Sequence, residues 1–278
     1  MNWTETINGI LQDIERSLAG EIDYAAIARR AGLSQYYLQR VFSAMTGMSM
    51  AEYVRERRLS LAGQELHKGA KVIDAALKYG YETPESFQKA FKRFHGLTPA
   101  AAKKPDAPLR WRNPLQIRIQ LVGGGMMDYR VEKMDRLRVL VKEYAVAYDT
   151  CMRDIPQLWD EYAAAGLHGV VPGMLAVCFD SEPGADFIYA IGDFYADGAV
   201  VPEGFVVREI PAHTWAKFRA VGPMPGALQA LNRQIYTEWM PGNGQFAPAE
   251  GMNIEIYSEG ETDAADYESF IWIPVRER

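Results

Sequence analysis

Cysteine and histidine are scarce in this chain. Two cysteines, Cys151 and Cys178, and four histidines, His67, His95, His168 and His213, are spread over 278 residues. None stands at metal-ligand spacing, so no metal is expected. So few cysteines suit a reducing compartment. Cys178, inside the apolar run LAVCFD, reads as a small buried hydrophobe. No nucleophile motif or phosphate loop accompanies the histidines, so neither an enzyme nor a cofactor is expected. Long apolar runs are missing too. Nothing approaches the length of a membrane span, and the opening MNWTETINGI lacks a signal-peptide pattern. Both absences point to the cytoplasm and away from a membrane partner.

What is present is an uneven distribution of charge. The length suits about two domains, and 48% hydrophobic with 24% charged residues can bury ordinary cores. The net charge of -6 hides two opposite halves. Residues 1–112 hold 17 Lys/Arg against 12 Asp/Glu, and residues 113–278 hold 13 against 24. The basic part suits phosphates; the acidic part repels DNA and attracts cations.

The most informative stretch is Tyr79 to Pro99, YGYETPESFQKAFKRFHGLTP. Gly80 suits a helix stop. Thr83 is placed to cap a new helix, Pro84 to open it and Glu85 to complement its positive end. Phe87, Ala90, Phe91 and Phe94 form an apolar stripe at helical spacing, leaving Ser86, Gln88, Lys89, Lys92 and Arg93 on other faces. Polar and basic groups beside a fixed apolar seam are what a major-groove reader needs. An ordinary surface helix with a solvated face has the same pattern.

The preceding chain shows helical spacing over 3–18 and 23–31, and then a helix opened by Ser34, SQYYLQRVFSAMTG. Leu38, Val41 and Phe42 lie on one side of it and Tyr36, Gln39 and Arg40 on another. Leu38 to Phe42 matches Phe87 to Phe91 at an offset of 49, and Gly47-Met48-Ser49 matches Gly96-Leu97-Thr98. Two helix-turn-helix units are therefore expected, joined by a long helix over 49–68. Its Arg55, Arg57 and Arg58 are candidates for phosphate contact or for a solvated face.

YGYETPESFQKAFKRFHGLTP and SQYYLQRVFSAMTGMSMAEYVRERRL resemble the AraC/XylS family of bacterial transcription regulators, over about residues 5–104. The resemblance implies a seven-helix DNA-binding domain with two recognition helices. It also implies base contacts at Tyr36, Gln39 and Arg40, and at Glu85, Ser86, Gln88 and Lys89. One departure is the run Ala100-Ala101-Ala102-Lys103, where the family often has an aromatic and an arginine. Independently, Gln88 can pair with an adenine edge, and Arg40 or Lys89 with a guanine edge.

Prolines 105, 108 and 114 and Gly123 to Gly125 mark a linker, with an extended piece at Gln116 to Val122. From Asp128 the hydrophobic period shifts toward two. YRVEKMDRLRVLVKEYAV parallels FVVREIPAHTWAKFRAVG, and LAVCFD parallels NIEIY at the same offset of 77. Helical patterns intervene at 155–165 and 227–240. The expected fold is multidomain: an all-α tandem helix-turn-helix part, and an α+β part of two strand-helix-strand-strand repeats. The expected boundaries are 1–107 for DNA binding, 108–127 for the linker and 128–278 for an effector-binding domain.

The second part resembles the gyrase-inhibitory-protein-like (GyrI-like) effector-binding domain, most clearly in MNIEIYSEG and YESFIWIPVRE. The resemblance implies a ligand cleft between the repeats and a carboxylate facing organic cations, which falls on Glu255. Strand alternation puts Glu255 and Tyr257 on one side and Ile254 and Ile256 on the other; if the isoleucines face the helices, Glu255 points away from them. Phe270, Trp272, Trp215 and Tyr189 are candidates for the same ligand wall. Alternatively, Glu255 is a solvated strand residue and the aromatics are core.

The expected function is a sequence-specific DNA-binding transcriptional regulator controlled by a small hydrophobic or cationic ligand. Its partners would be promoter DNA, the effector and RNA polymerase, and it would act as a monomer or homodimer. Two alternatives stay open. One is a pocket hydrolase tethered to DNA, with Glu255 as general base and Tyr257 orienting. The other is a constitutive DNA binder whose acidic half contacts protein partners.

Overall fold

The computed structural model describes residues 3–116, 127–180, 186–249 and 251–278. The expected extended piece at 116–122 lies outside them apart from Gln116. The chain divides into two compact units, residues 1–31 with 50–120, and residues 32–49 with 121–278. Six α-helices come first: α1 (Trp3–Arg16), α2 (Tyr24–Arg30), α3 (Gln35–Thr46), α4 (Met50–His67), α5 (Val72–Lys78) and α6 (Pro84–His95). A single 3-10 turn, Ala101–Lys103, stands where the resemblance implies a seventh helix. Pro105 and Pro108 follow it and disfavour further helix.

In the first unit, α6 begins and ends as its residues dictate. The Thr83 hydroxyl accepts from the Ser86 N–H at 3.1 Å, Pro84 fills the first turn, and Gly96 closes the helix with φ +79°. Phe87 and Phe91 are fully buried among Leu59, Ala62 and Leu66 of α4 and Ala75 and Ala76 of α5. Gly63 allows α4 to meet the end of α6. A Cβ there would lie 2.9 Å from the His95 ring. His95 Nδ1 accepts the Arg110 N–H at 3.2 Å, so the proton sits on Nε2, 3.0 Å from the Leu59 carbonyl. Burial, together with nearby Arg110, holds the pKa of this imidazole below its ordinary value, although the Leu59 bond works the other way.

Two of the α4 arginines are structural. The Arg57 guanidinium donates to both Glu15 oxygens, at 2.8 and 2.7 Å, and to the Arg112 carbonyl at 2.6 Å. Arg58 donates to the Leu18 carbonyl at 2.9 Å. Arg55 alone of the three is exposed. Phosphate contact therefore stays open for Arg55 and is corrected for Arg57, whose three nitrogens are all bonded within the protein, while Arg58 gives Nε and Nη2 to backbone carbonyls.

In the second unit, nine strands form one antiparallel sheet. They are β1 (Tyr129–Met134), β2 (Leu137–Ala147), β3 (Leu175–Phe179), β4 (Asp186–Phe194), β5 (Val206–Ile210), β6 (His213–Val221), β7 (Phe246–Pro248), β8 (Met252–Tyr257) and β9 (Glu268–Glu277). The order is β1-β6-β9-β8-β3-β4-β2-β5, with β7 added beside β9. The two repeats are thus related about the central β8–β3 pair, as the offset of 77 anticipates. Each has two strands before its helix where one was expected, because Asp135-Arg136 and Pro211-Ala212 break the first extended run. The first strand of each repeat pairs with the second strand of the other, β1 with β6 and β5 with β2. The connectors explain this exchange. Asp135-Arg136 and Pro211-Ala212 contain no glycine, and among the described residues no other residue type has positive φ. A two-residue hairpin of the favoured types needs positive φ, so each strand crosses to a neighbour instead of folding back.

Helix α7 (Cys151–Ala164) follows β2. Helix α8 (Gly226–Gln234) follows β6 and is continued by a π turn, Ile235–Trp239. Both pack on one sheet face. Tyr162 and Trp159 of α7 join Ala176, Cys178, Tyr189 and Ile191. Trp239 stands edge-on to Phe218 at 4.8 Å. The opposite face carries Val139, Val141, Leu175, Val177, Ile254 and Trp215.

Stability of the first unit should fall as pH drops below about 6.5, the usual value of an unfolded histidine. His95 is held neutral in the fold, so its contribution is complete above that pH and is lost as pH falls toward the depressed folded value. Urea unfolding at pH 7.5 and 5.0 should show a smaller drop in His95→Gln than in the wild type; equal drops would remove His95 from this account. Gly63→Ala should cost about 1–3 kcal/mol at either pH.

Candidate functional site

Helix α6 presents a complete outward face. Glu85, Ser86, Gln88, Lys89, Lys92 and Arg93 are all exposed, while Phe87 and Phe91 anchor the opposite side. The polar side chains singled out on α6 are therefore all accessible and carry both amide and ammonium donors.

The helix-covered face of the sheet holds a second constellation. Asn253, Glu255 and Tyr257 of β8 share this face, with Cys178 and Ala176 of β3 beside them and Tyr189 and Ile191 of β4 beyond. A run of hydrogen bonds leads to the carboxylate. Trp159 Nε1–H can only donate, and it donates to the Tyr189 hydroxyl at 2.9 Å. Tyr189 bonds to Tyr257, whose hydroxyl donates to Glu255 Oε2 at 3.0 Å. Burial raises the pKa of both phenols well above the ordinary value, so they stay protonated and able to donate. Trp159 also stands edge-on to Tyr257 at 5.3 Å. Burial pushes the neighbouring Cys178 thiol up to about 12, which keeps it a thiol and unreactive.

Helix α3 belongs to this unit and lies in the same place. Arg40 sits 3.6 Å from Glu255, with side-chain exposures of 17% and 15%. It also meets Asn232 Oδ1 of α8 at 2.9 Å, Cys178 Sγ at 3.9 Å and the Tyr236 hydroxyl. The Tyr36 hydroxyl donates to Asn253 Oδ1, and its ring meets Phe187 at 5.8 Å and Tyr148 at 6.3 Å. Tyr37 stands edge-on to Tyr236 at 5.5 Å. At the start of the helix, Asp180 bonds the Ser34 side chain and the Tyr36 N–H, and accepts the Tyr148 hydroxyl at 3.0 Å. The fit leaves gaps: among the described residues, Arg40 Nε and Asn253 Nδ2 are buried with no acceptor. Each such donor costs about 1–3 kcal/mol. Of the base-reading candidates in α3, Tyr36 and Gln39 are buried and Arg40 is occupied by Glu255 and Asn232.

Two family models match the chain. A helix-turn-helix domain covers residues 27–104, and a GyrI-like small molecule binding domain covers residues 127–276, more than half of the chain. The transcriptional activator AarP of Providencia stuartii is 39% identical over 101 residues, which are 36% of this chain and 75% of that protein. The regulatory protein SoxS of Salmonella typhimurium is 31% identical over 101 residues, 36% of this chain and 94% of that one. The chain belongs to the AraC family of helix-turn-helix transcription regulators and carries a GyrI-like domain. A solved structure of SAV2435 bound to tetraphenylphosphonium aligns with 54% of this chain and 94% of its own, at TM-score 0.48 and 18% identity.

Within the GyrI-like domain, the register corrects three of the predicted ligand-wall residues. Ile254 pairs with Trp272, and Ile256 with Phe270, so both aromatics share the face opposite Glu255. Trp215 pairs with Pro274 and is fully buried on that same opposite face. Trp272 there lies under Lys217, whose Nζ is 3.7 Å from the ring centre and which is also paired with Glu132. The helices cover the Glu255 face, so it is Ile254 and Ile256 that turn away from them. Tyr189 and Tyr257 do lie beside Glu255. Trp159, Asn253 and Asn232 were missed. Alternation within NIEIY could have found Asn253, but nothing local marks the other two.

Tyr257→Phe removes the hydroxyl that donates to Glu255 and keeps the ring. It should lower stability by about 1.5–3 kcal/mol, the range for a hydrogen bond to a charged group. An unchanged urea midpoint would show that the carboxylate draws its support elsewhere.

Proposed function

We propose that this regulator reads a specific promoter sequence with α3 and α6 and is controlled by a small hydrophobic cation bound over Glu255. One observation carries the ligand reading: a largely buried carboxylate backed by a hydrogen-bonded run of aromatic side chains. A negative charge removed from water needs a positive partner. Tyr189, Tyr257 and Trp159 provide the polarisable, apolar surroundings that suit an organic cation better than a hydrated metal ion. Residues 1–107 would form the DNA-binding part, 108–127 the linker and 128–278 the effector part. Such a regulator works in the cytoplasm, with promoter DNA, the effector and RNA polymerase as partners.

On DNA, Tyr36, Gln39 and Arg40 would serve the first half-site. Glu85, Ser86, Gln88 and Lys89 would serve the second, with Lys92 and Arg93 beside them on phosphates. Two reading helices in one chain allow an asymmetric site without the palindrome that a one-helix reader needs.

Thermal melting with millimolar benzamidinium and with its near-isostere benzamide tests the ligand reading. The cation should raise the midpoint more than the neutral amide, and Glu255→Gln should abolish the difference. Equal shifts in the wild type would remove the charge from the account.

Selection from a random duplex pool tests DNA reading. Lys89→Ala and Gln88→Ala should each relax preference at one base position, by about 1–3 kcal/mol. A uniform loss over all sequences would assign these side chains to phosphates.

A further inference from the structure

We infer that α3 is a built-in competitor for the effector groove: Arg40 occupies the cation position beside Glu255, and an external cation that displaces it frees the base-reading face of α3. This rests on the proposed roles of Glu255 and α3, and gives that same groove its regulation.

The chemistry of the occupant matches the chemistry of the groove. Arg40 brings a planar cation on an apolar stem. Its guanidinium lies 3.6 Å from Glu255, 2.9 Å from Asn232 Oδ1 and 5.8 Å from the centre of the Tyr36 ring. Tyr36 fills the space beside it, against Phe187 and Tyr148. Asp180 holds the start of the helix through Ser34 and the Tyr36 N–H.

The same three side chains are claimed twice. Tyr36, Gln39 and Arg40 carry the base contacts implied for the first recognition helix, and two are buried while the third is paired with Glu255. They cannot meet a base edge and fill the groove at once. Helix α6 carries no such conflict, since its polar face is exposed.

The competitor fits imperfectly, as a displaceable occupant should. A well-made guanidinium–carboxylate contact spans about 2.7–2.9 Å, and this one is 3.6 Å. Among the described residues, Arg40 Nε and Asn253 Nδ2 have no acceptor. A cation that makes a shorter contact with Glu255 can therefore replace it. Because the cation binds only when α3 is out, its apparent affinity is reduced by the fraction of molecules in which α3 is in. Linkage makes the effect reciprocal, so cation binding raises DNA affinity by the factor by which DNA raises cation affinity.

Asn232→Ala provides a test whose sign is unusual. It removes an Arg40 partner and leaves Glu255 in place, so it should tighten benzamidinium binding. It should also speed amide hydrogen exchange in residues 34–47, and strengthen binding to a duplex recovered from a random pool by the wild-type protein. Each change should fall within about 5- to 150-fold. In the wild type, millimolar benzamidinium should give the same faster exchange and tighter DNA binding. Glu255→Gln should show both without the cation and gain nothing from it.

Cation binding that is unchanged by Asn232→Ala, with protection of α3 unchanged throughout, would overturn the competition while leaving Glu255 as a cation site. Conversely, faster α3 exchange in both variants, with no benzamidinium binding to any of the three proteins, would keep α3 as the occupant and sink the cation reading instead. If α3 exchanges faster but DNA binding is unaltered, the regulatory role is overturned.

Discussion

A carboxylate placed under helices must be matched. Glu255 stands on the covered face of the sheet, and everything around it answers that placement. Tyr257 donates to one oxygen, Tyr189 and Trp159 hold Tyr257 in position, and Arg40 brings the opposite charge. Leucine at this position would pack without any of these partners. Their presence makes the centre of the domain polar and its packing specific to these partners.

The helical part was legible because its signals are local. Thr83, Pro84 and Gly96 act within one helix, and the stripe of Phe87 and Phe91 states its own inner face. The offset of 49 between the two units survives as matching left-handed glycines at 47 and 96. The role of Arg57 was not legible, because its partner Glu15 is 42 positions away on another helix. Nothing in RERR distinguishes a buried guanidinium from an exposed one.

The sheet was legible in part. Alternation gives the parity of side chains within a strand, and it correctly separated Glu255 and Tyr257 from Ile254 and Ile256. It does not give the phase between strands. Phe270 and Trp272 follow the same period as the residues around Glu255, yet pairing with Ile256 and Ile254 sends them to the other face. One step of register reverses every such assignment. The burial of Tyr36 and Gln39 was invisible for a related reason. Their positions on α3 describe which way they point from their own helix, and say nothing about what lies opposite.

The crossing of β1 to β6 and of β5 to β2 carries its own consequence. Duplicated folds can often be cut between their copies, each piece keeping its own edges. Here either piece would lose a border strand to its sibling and expose a row of bare amides and carbonyls to aggregation. The duplication is thereby locked into a single melting body, and a tug on one copy is felt across the central seam by the other.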